Sequence, residues 1–161
     1  MSACNDYLDV MPDNRTEINT LEKVKSLLVS AYPDKEYASF LDVRCDGVID
    51  HGSTMDGTSQ SISFEAIRVG FLWDEYPSIE SDIDAEAYWS ACYEAIASAN
   101  HALAALDELT PEEKLSVGPY KAEALLCRAY AHFQLLTLFS NFFDEAGKTT
   151  NMGIPYVTEP E

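Results

Sequence analysis

Two long segments with helical periodicity, joined by a short connection, constrain the fold of this chain more than any other feature. The first is predicted to begin at a cap formed by Asp82 or Asp84 and to run to about Glu108; the second is predicted over Tyr120–Phe143. At 1.5 Å per residue, a helix of about 24 residues is about 36 Å long. Because the connection is short, the two helices are expected to pack as an antiparallel hairpin.

Apolar residues recur at three- and four-residue spacing along both segments, which predicts a buried face on each helix. In the first segment the face comprises Tyr88, Trp89, Cys92, Tyr93, Ile96, Ala99, Leu103 and Leu106. In the second it comprises Ala122, Leu125, Leu126, Ala129, Phe133, Leu136 and Phe139. Asn100 lies within the first face and is expected to bond to a loop backbone. Arg128 is expected to pair with a carboxylate, Glu123 or Glu94.

The connection carries a helix-start signal of its own. Thr110-Pro111-Glu112-Glu113 places a capping threonine three residues before a glutamate, with proline in the first turn. Gly118-Pro119 is expected to break or re-aim the helix that this signal starts.

The segments outside the hairpin are more varied. Residues 5–16 and 151–161 are polar and predicted to be extended, and residues 44–81 are predicted to be mostly loop. Thr16 is expected to cap a helix that Pro33 stops, and a second short helix is expected from Asp34 to Val43. Within the loop, residues 62–67 could form a short strand or a helical turn.

Charge and composition exclude several functional classes. The net charge is −18, which would repel nucleic-acid phosphates and anionic membrane surfaces. The apolar runs are too short to span a bilayer. Cys92 and Cys127 lie in apolar helical stretches and are expected to be core residues. Thus the composition indicates a globular, surface-exposed or secreted protein with a neutral ligand.

No residue pattern indicates catalysis or a resident metal. Asp46, Asp50, His51 and Asp56 could in principle hold a calcium ion, but they lack the ligand order of an EF-hand loop. There is no P-loop and no serine–histidine–aspartate or cysteine–histidine arrangement. We therefore expect a protein that is not an enzyme, with no catalytic residue, no cofactor and no metal.

Four short motifs, in order along the chain, resemble those of RagB/SusD-type proteins. They are Cys4-Asn5-Asp6-Tyr7-Leu8-Asp9-Val10, Trp89-x-x-x-Tyr93-x-x-Ile96-x-x-Ala99-Asn100-x-x-Leu103, Ala122-Glu123-Ala124-Leu125-Leu126-Cys127-Arg128-Ala129 and Gly153-Ile154-Pro155-Tyr156-Val157. Met1-Ser2-Ala3-Cys4 also fits a lipobox, in which a large apolar residue and two small residues precede a lipidated cysteine. Cys127 departs from the leucine usual before the arginine, and Ser140-Asn141 replaces the usual glycine that ends the second helix.

The resemblance implies an all-α fold: residues 1–161 would be the N-terminal helical lobe of a SusD-like protein, with the long loop and a helix hairpin similar to a tetratricopeptide unit. Since family members are several times longer, the chain is expected to be an N-terminal fragment. By resemblance it would be a lipoprotein, anchored through Cys4 in the outer membrane and exposed at the cell surface. Its partners would be an oligosaccharide and a SusC-type TonB-dependent transporter.

Trp73, Asp74 and Tyr76 are the candidate ligand contacts. Sugar rings stack on flat aromatic faces, and a carboxylate can accept from their hydroxyls, so a loop with Trp73, Asp74 and Tyr76 suits an oligosaccharide. In the alternative, Trp73 anchors the loop on the core. Two other functions remain open, namely capture of peptides by the same fold and a ligand-free helical interaction module, for which an exposed helix face would favour self-association.

Overall fold

The computed structural model describes residues 17–49, 62–74 and 85–160. Within these residues the regular structure is helical, without strands, which confirms the all-α prediction. The five α-helices are α1 (Leu21–Leu28), α2 (Ala38–Asp42), α3 (Ile62–Leu72), α4 (Ala85–Glu108) and α5 (Gly118–Phe139).

Helices α4 and α5 form the predicted antiparallel hairpin, which is the centre of the fold. The beginning of α4 lies against the end of α5, where the Trp89 and Phe139 rings meet edge to face with centroids 5.1 Å apart. Small side chains line much of the contact, including the buried Ala95, Ala99 and Ala131. Because these side chains are short, the two helices can pack closely along their length.

A first apolar cluster joins α1 to the end of the hairpin at which α4 and α5 are connected. It includes Val24 and Leu28 of α1, Leu106 of α4 and Cys127 of α5. The Thr20 hydroxyl caps α1 by accepting from the Lys23 N–H, 3.4 Å away. Thr20 therefore starts this helix; the predicted cap, Thr16, lies outside the described residues.

A second apolar cluster fills the opposite end of the hairpin, where α4 begins and α5 ends. Tyr88, Cys92, Ile96 and Leu135 are buried there, and Trp89 lies half-buried at the edge of the cluster. Ile154 and Val157 of the C-terminal segment pack on the same cluster. That segment has no regular secondary structure over residues 152–158 and lies on the helices.

One predicted loop contains a helix, whereas the predicted break before the second long helix is present. The segment 44–81, predicted to be mostly loop, contains α3, an 11-residue helix. The prediction for Gly118-Pro119 is confirmed: the capping signal at Thr110 starts a turn and a short 3-10 helix, Glu113–Ser116, which ends just before this pair. A new helix, α5, then begins at Gly118 and accommodates Pro119 in its first turn, where a backbone N–H has no helical partner in any case.

The Glu113 carboxylate ties this connection to the start of α1. It accepts from the Thr110 hydroxyl at 2.9 Å, from the Thr110 N–H at 3.3 Å and from the Leu21 N–H at 3.3 Å. These hydrogen bonds, chiefly that from the Thr110 hydroxyl, hold the pKa of Glu113 below its usual value. The interaction should thus stabilise the fold while the carboxylate is ionised.

We expect Glu113→Gln to reduce the acid sensitivity of the fold. A carboxylate whose pKa is lowered by folding stabilises the protein above its unfolded-state pKa, and that stability disappears as the pH falls through the folded-state value. Urea unfolding between about pH 7 and pH 3, across the ordinary glutamate range, measures the effect. Glu112→Gln, on the exposed neighbour, is the control and should retain the wild-type pH dependence. An equal pH dependence for wild type and Glu113→Gln would contradict the assignment.

The described cysteines differ in accessibility. Cys92 and Cys127 are buried, as expected, whereas Cys45 is exposed. Burial raises the pKa of the Cys92 and Cys127 thiols.

We expect iodoacetamide to alkylate Cys45 in the folded protein and to reach Cys92 and Cys127 only after unfolding, because the thiolate is the reactive form. Mass spectrometry of individual peptides tests this, with guanidinium-unfolded protein as the control; equal rates at Cys45 and Cys92 would contradict it.

Candidate functional site

Trp73 occupies a strained position at the end of α3. The N–H groups of Trp73 and Asp74 donate to the carbonyls of Gly70 (3.2 Å) and Val69 (3.1 Å). These two hydrogen bonds form a Schellman motif, which requires a left-handed residue and usually uses glycine. Trp73 adopts φ 57°, the one positive value at a non-glycine residue among those described. A left-handed L-residue costs about 1–2 kcal/mol, so the tryptophan is held here against a local preference.

The Trp73 ring faces solvent. Its exposed fraction is 70%, so the alternative prediction that Trp73 anchors the loop on the core is wrong. The Arg44 guanidinium lies 5.3 Å from the ring centroid, which restricts the ring and places a cation beside it. Asp74 is exposed next to the ring, while Tyr76 lies outside the described residues. We call Trp73, Asp74 and Arg44 the Trp73 corner.

A second exposed aromatic surface follows α5. The helix ends four residues before the predicted boundary, at Phe139, so that Phe142 and Phe143 lie in the connection beyond it. Phe142 is 96% exposed and, with Phe143, Asn151 and Met152, lines an open hollow of about 440 Å³. This volume lies within the range of small-molecule sites, about 300–1,000 Å³.

A buried polar cluster lies between α4 and α5. The Arg128 guanidinium donates to the Asn100 side-chain oxygen at 2.9 Å and to the Thr158 carbonyl at 3.1 Å. The predicted pairing of Arg128 with Glu123 or Glu94 is therefore wrong: the guanidinium points across the hairpin, and the facing oxygens belong to an amide and a peptide group. The Asn100 amide donates to the Val157 and Glu159 carbonyls, which confirms its expected bonding to a loop backbone.

His132 completes this cluster. Its Nδ1 lies 2.9 Å from the Arg128 carbonyl, and its Nε2 accepts from the Val157 N–H at 3.1 Å. The first contact requires a proton on Nδ1 and the second requires a lone pair on Nε2, so the geometry selects one neutral tautomer. Tyr93 donates to the Pro155 carbonyl at 2.8 Å. We call Tyr93, Asn100, Arg128 and His132 the main-chain clamp.

Metal-binding geometry does not occur in the described part of the chain, where no three His, Cys, Asp or Glu side chains converge. Of the residues considered from the sequence as calcium ligands, Asp50, His51 and Asp56 lie outside the described residues. No helix in the described ranges is long and apolar enough to cross a membrane.

Comparison with known proteins identifies the family of this chain. A family model described as SusD-like, starch-binding and associating with the outer membrane, matches residues 6–161. The chain belongs to the SusD-like family. Neither the curated proteins nor the solved structures give a significant match. SusD-like proteins are binding proteins and not enzymes, so exposed binding surfaces are the features of this SusD-like chain that bear on function.

The outer face of α5 is an exposed apolar surface on this SusD-like chain. Leu126, Phe133 and Leu136 project from it and are largely exposed, so the buried face predicted for this helix is wrong. The buried side of α5 is formed instead by Ala124, Cys127, Ala131, His132 and Leu135. No acidic residue occurs between positions 124 and 143, although the chain has 28 aspartates and glutamates. Exposed apolar patches of this kind are typical of interaction surfaces.

Sequence reasoning identified Trp73 and Asn100 but missed His132 and the exposed Phe142. The signal for the clamp was present in the hairpin register. Asn100 lies 8 residues before the end of α4 at Glu108, and Arg128 lies 10 residues after the start of α5 at Gly118. Residues nearly equidistant from the connection face each other in an antiparallel hairpin, and His132 follows Arg128 by one helical turn.

Proposed function

We propose that this SusD-like protein captures oligosaccharides at the outer-membrane surface and delivers them to a SusC-type TonB-dependent transporter. The family match over residues 6–161 carries the proposal, since the family description is starch-binding and associating with the outer membrane. Starch fragments are neutral polyols, and a chain with a net charge of −18 would not attract an anionic ligand. Membrane attachment is proposed to occur through a lipid on Cys4.

Trp73, Asp74 and Tyr76 are the proposed ligand contacts. The exposed Trp73 ring offers an apolar face to the C–H edge of a pyranose, and Asp74 lies beside it with oxygens that accept from sugar hydroxyls. Backbone strain at Trp73 supports a functional role, because glycine would satisfy the same turn without strain.

Replacing Trp73 by glycine separates ligand binding from folding. We expect Trp73→Gly to lower the affinity for maltooligosaccharides about fivefold, since the loss of one stacking contact is worth about 1 kcal/mol. Its unfolding free energy should exceed that of Trp73→Ala by about 1 kcal/mol, because alanine retains the left-handed strain and glycine does not. Titration of the protein with the saccharide, followed by NMR, can measure the weak affinity expected when the Trp73 corner alone contacts the ligand.

Two controls locate the site. Leu115→Ala removes an exposed apolar side chain from the 3-10 helix and should leave binding unchanged. Phe142→Ala tests the second aromatic surface. If Phe142→Ala abolishes saccharide binding and Trp73→Gly does not, the Trp73 corner is the wrong site although saccharide capture stands. An absence of binding to any neutral oligosaccharide would contradict saccharide capture by this chain.

A ligand-free interaction module is the second candidate, and the exposed face of α5 favours it. Under this alternative the chain binds another protein through α5 and shows no saccharide affinity. Leu126→Glu, which places a charge on that face, would then abolish self-association measured by analytical ultracentrifugation. The same substitution should leave saccharide binding at the Trp73 corner unchanged.

A further inference from the structure

The main-chain clamp holds the C-terminal segment in an unusual way, because all its hydrogen bonds to that segment involve main-chain atoms. Tyr93, Asn100 and Arg128 together donate to the carbonyls of residues 155, 157, 158 and 159, and His132 accepts from the N–H of residue 157. The longest of these contacts, from Asn100 to the Val157 carbonyl, is 3.4 Å. Such bonding recognises a peptide main chain and carries no information about its side chains.

The side chains of the bound segment make few contacts with the hairpin. Thr158 and Glu159 are exposed, and Tyr156 is 71% exposed although its ring lies beside that of His132. Only Ile154 and Val157, three residues apart, pack on the second apolar cluster. The segment is therefore held by its main chain, two apolar side chains and the Tyr156 ring contact with His132.

The clamp side chains all belong to the two long helices and not to the segment that they hold. With the segment in place, Asn100 is 1% exposed and His132 is 5% exposed. Arg128 donates to the Asn100 side-chain oxygen, which leaves the amide N–H group to face the segment. Buried polar groups need partners, and here the main chain of the segment provides them.

We propose that the groove between α4 and α5 is a binding site for an extended peptide, which residues 154–159 occupy in cis and a second peptide of matching shape can occupy in trans. The required ligand has free main-chain groups at the positions of residues 155, 157, 158 and 159 and apolar side chains at those of Ile154 and Val157. This site is separate from the Trp73 corner and does not depend on saccharide capture.

The substitution Val157→Pro in the full chain tests the proposal. Proline removes the N–H that His132 accepts and leaves every clamp residue intact. A covalently tethered segment has an effective concentration on the order of millimolar, so the wild-type chain should bind a peptide in trans only weakly. We expect a fluorescein-labelled peptide with the sequence of residues 153–160 to bind the Val157→Pro chain about tenfold more tightly than the wild-type chain.

Matched peptides and a matched variant define the recognition. Thr158→Pro places the same ring one residue further on, where the clamp uses only the carbonyl, and this chain should behave as wild type. A peptide with alanine at the positions of Thr158 and Glu159 should bind the Val157→Pro chain within about threefold of the original. A peptide methylated on the nitrogen of the Val157 position should lose about tenfold in affinity.

Three results would overturn the proposal: equal peptide affinity for the wild-type and Val157→Pro chains, undiminished binding of the N-methylated peptide, or dependence on the exposed side chains. Far-UV circular dichroism first establishes that Val157→Pro retains the helices. If the helices are lost, Val157→Ser is used in place of Val157→Pro. This substitution removes the apolar contact and keeps the N–H, and the peptide should again bind the variant more tightly than the wild-type chain.

Discussion

Leu106→Ala is expected to reduce the free energy of unfolding by about 3 kcal/mol, as for other fully buried leucines. Leu106 is 1% exposed and lies in the first apolar cluster, where α1, α4 and α5 meet. Three elements converge on the side chain, so the surrounding structure has little freedom to collapse into the cavity. For a chain of this size the melting temperature should fall by roughly 6–12 °C.

Leu115→Ala is the control for this measurement. Leu115 is 89% exposed, so the same chemical change should alter the unfolding free energy by less than about 0.5 kcal/mol. Urea unfolding of the two variants and the wild type provides the comparison. Similar losses for Leu106→Ala and Leu115→Ala would show that the first cluster does not hold the three helices together.

Cys4→Ala is expected to abolish membrane retention when the protein is expressed as a precursor with a lipoprotein signal. Attachment through acyl chains depends on the apolar area they bury, about 0.8 kcal/mol for each CH₂ group, and the substitution removes the only proposed attachment point. Palmitate labelling and membrane fractionation measure the result.

Cys45→Ala is the matched control for the anchor. Cys45 is an exposed thiol outside the lipobox, so its removal should leave labelling and fractionation unchanged. Retention of the Cys4→Ala protein in the membrane fraction would refute the anchor. It would leave saccharide capture at the Trp73 corner untouched, because that is measured on the protein in solution.

The sequence determined the helix hairpin because the information for it is local and repeated. Apolar residues at three- and four-residue spacing over more than twenty positions define a buried face, and a short connection leaves little choice but antiparallel packing. Burial of Cys92 followed from its position on the α4 face. The buried side of α5 was not determined in this way: the helix is apolar on more than one side, so spacing alone could not decide which side packs on α4. The aromatic candidate Trp73 could be named for the same reason, since its chemistry does not depend on its neighbours.

The sequence failed where a long-range partner decides the outcome. Arg128 was assigned a carboxylate because charge suggested one, yet the hairpin register presents the Asn100 amide and a segment about 30 residues later supplies the Thr158 carbonyl. Helix α3 was missed because it is short and its first apolar residues, Ile62, Phe64 and Ala66, alternate as they would in a strand. Likewise, whether Trp73 faced the core or solvent depended on the turn that ends α3.

The sequence by itself thus determined the hairpin, the apolar face of α4 and the family of this chain. Only the tertiary structure decided which polar groups face one another across the hairpin, and how the C-terminal segment is held. The physical reason is that helical periodicity is written into neighbouring residues, whereas hydrogen bonds of Asn100, Arg128 and His132 depend on atoms brought together from distant positions to within about 3 Å.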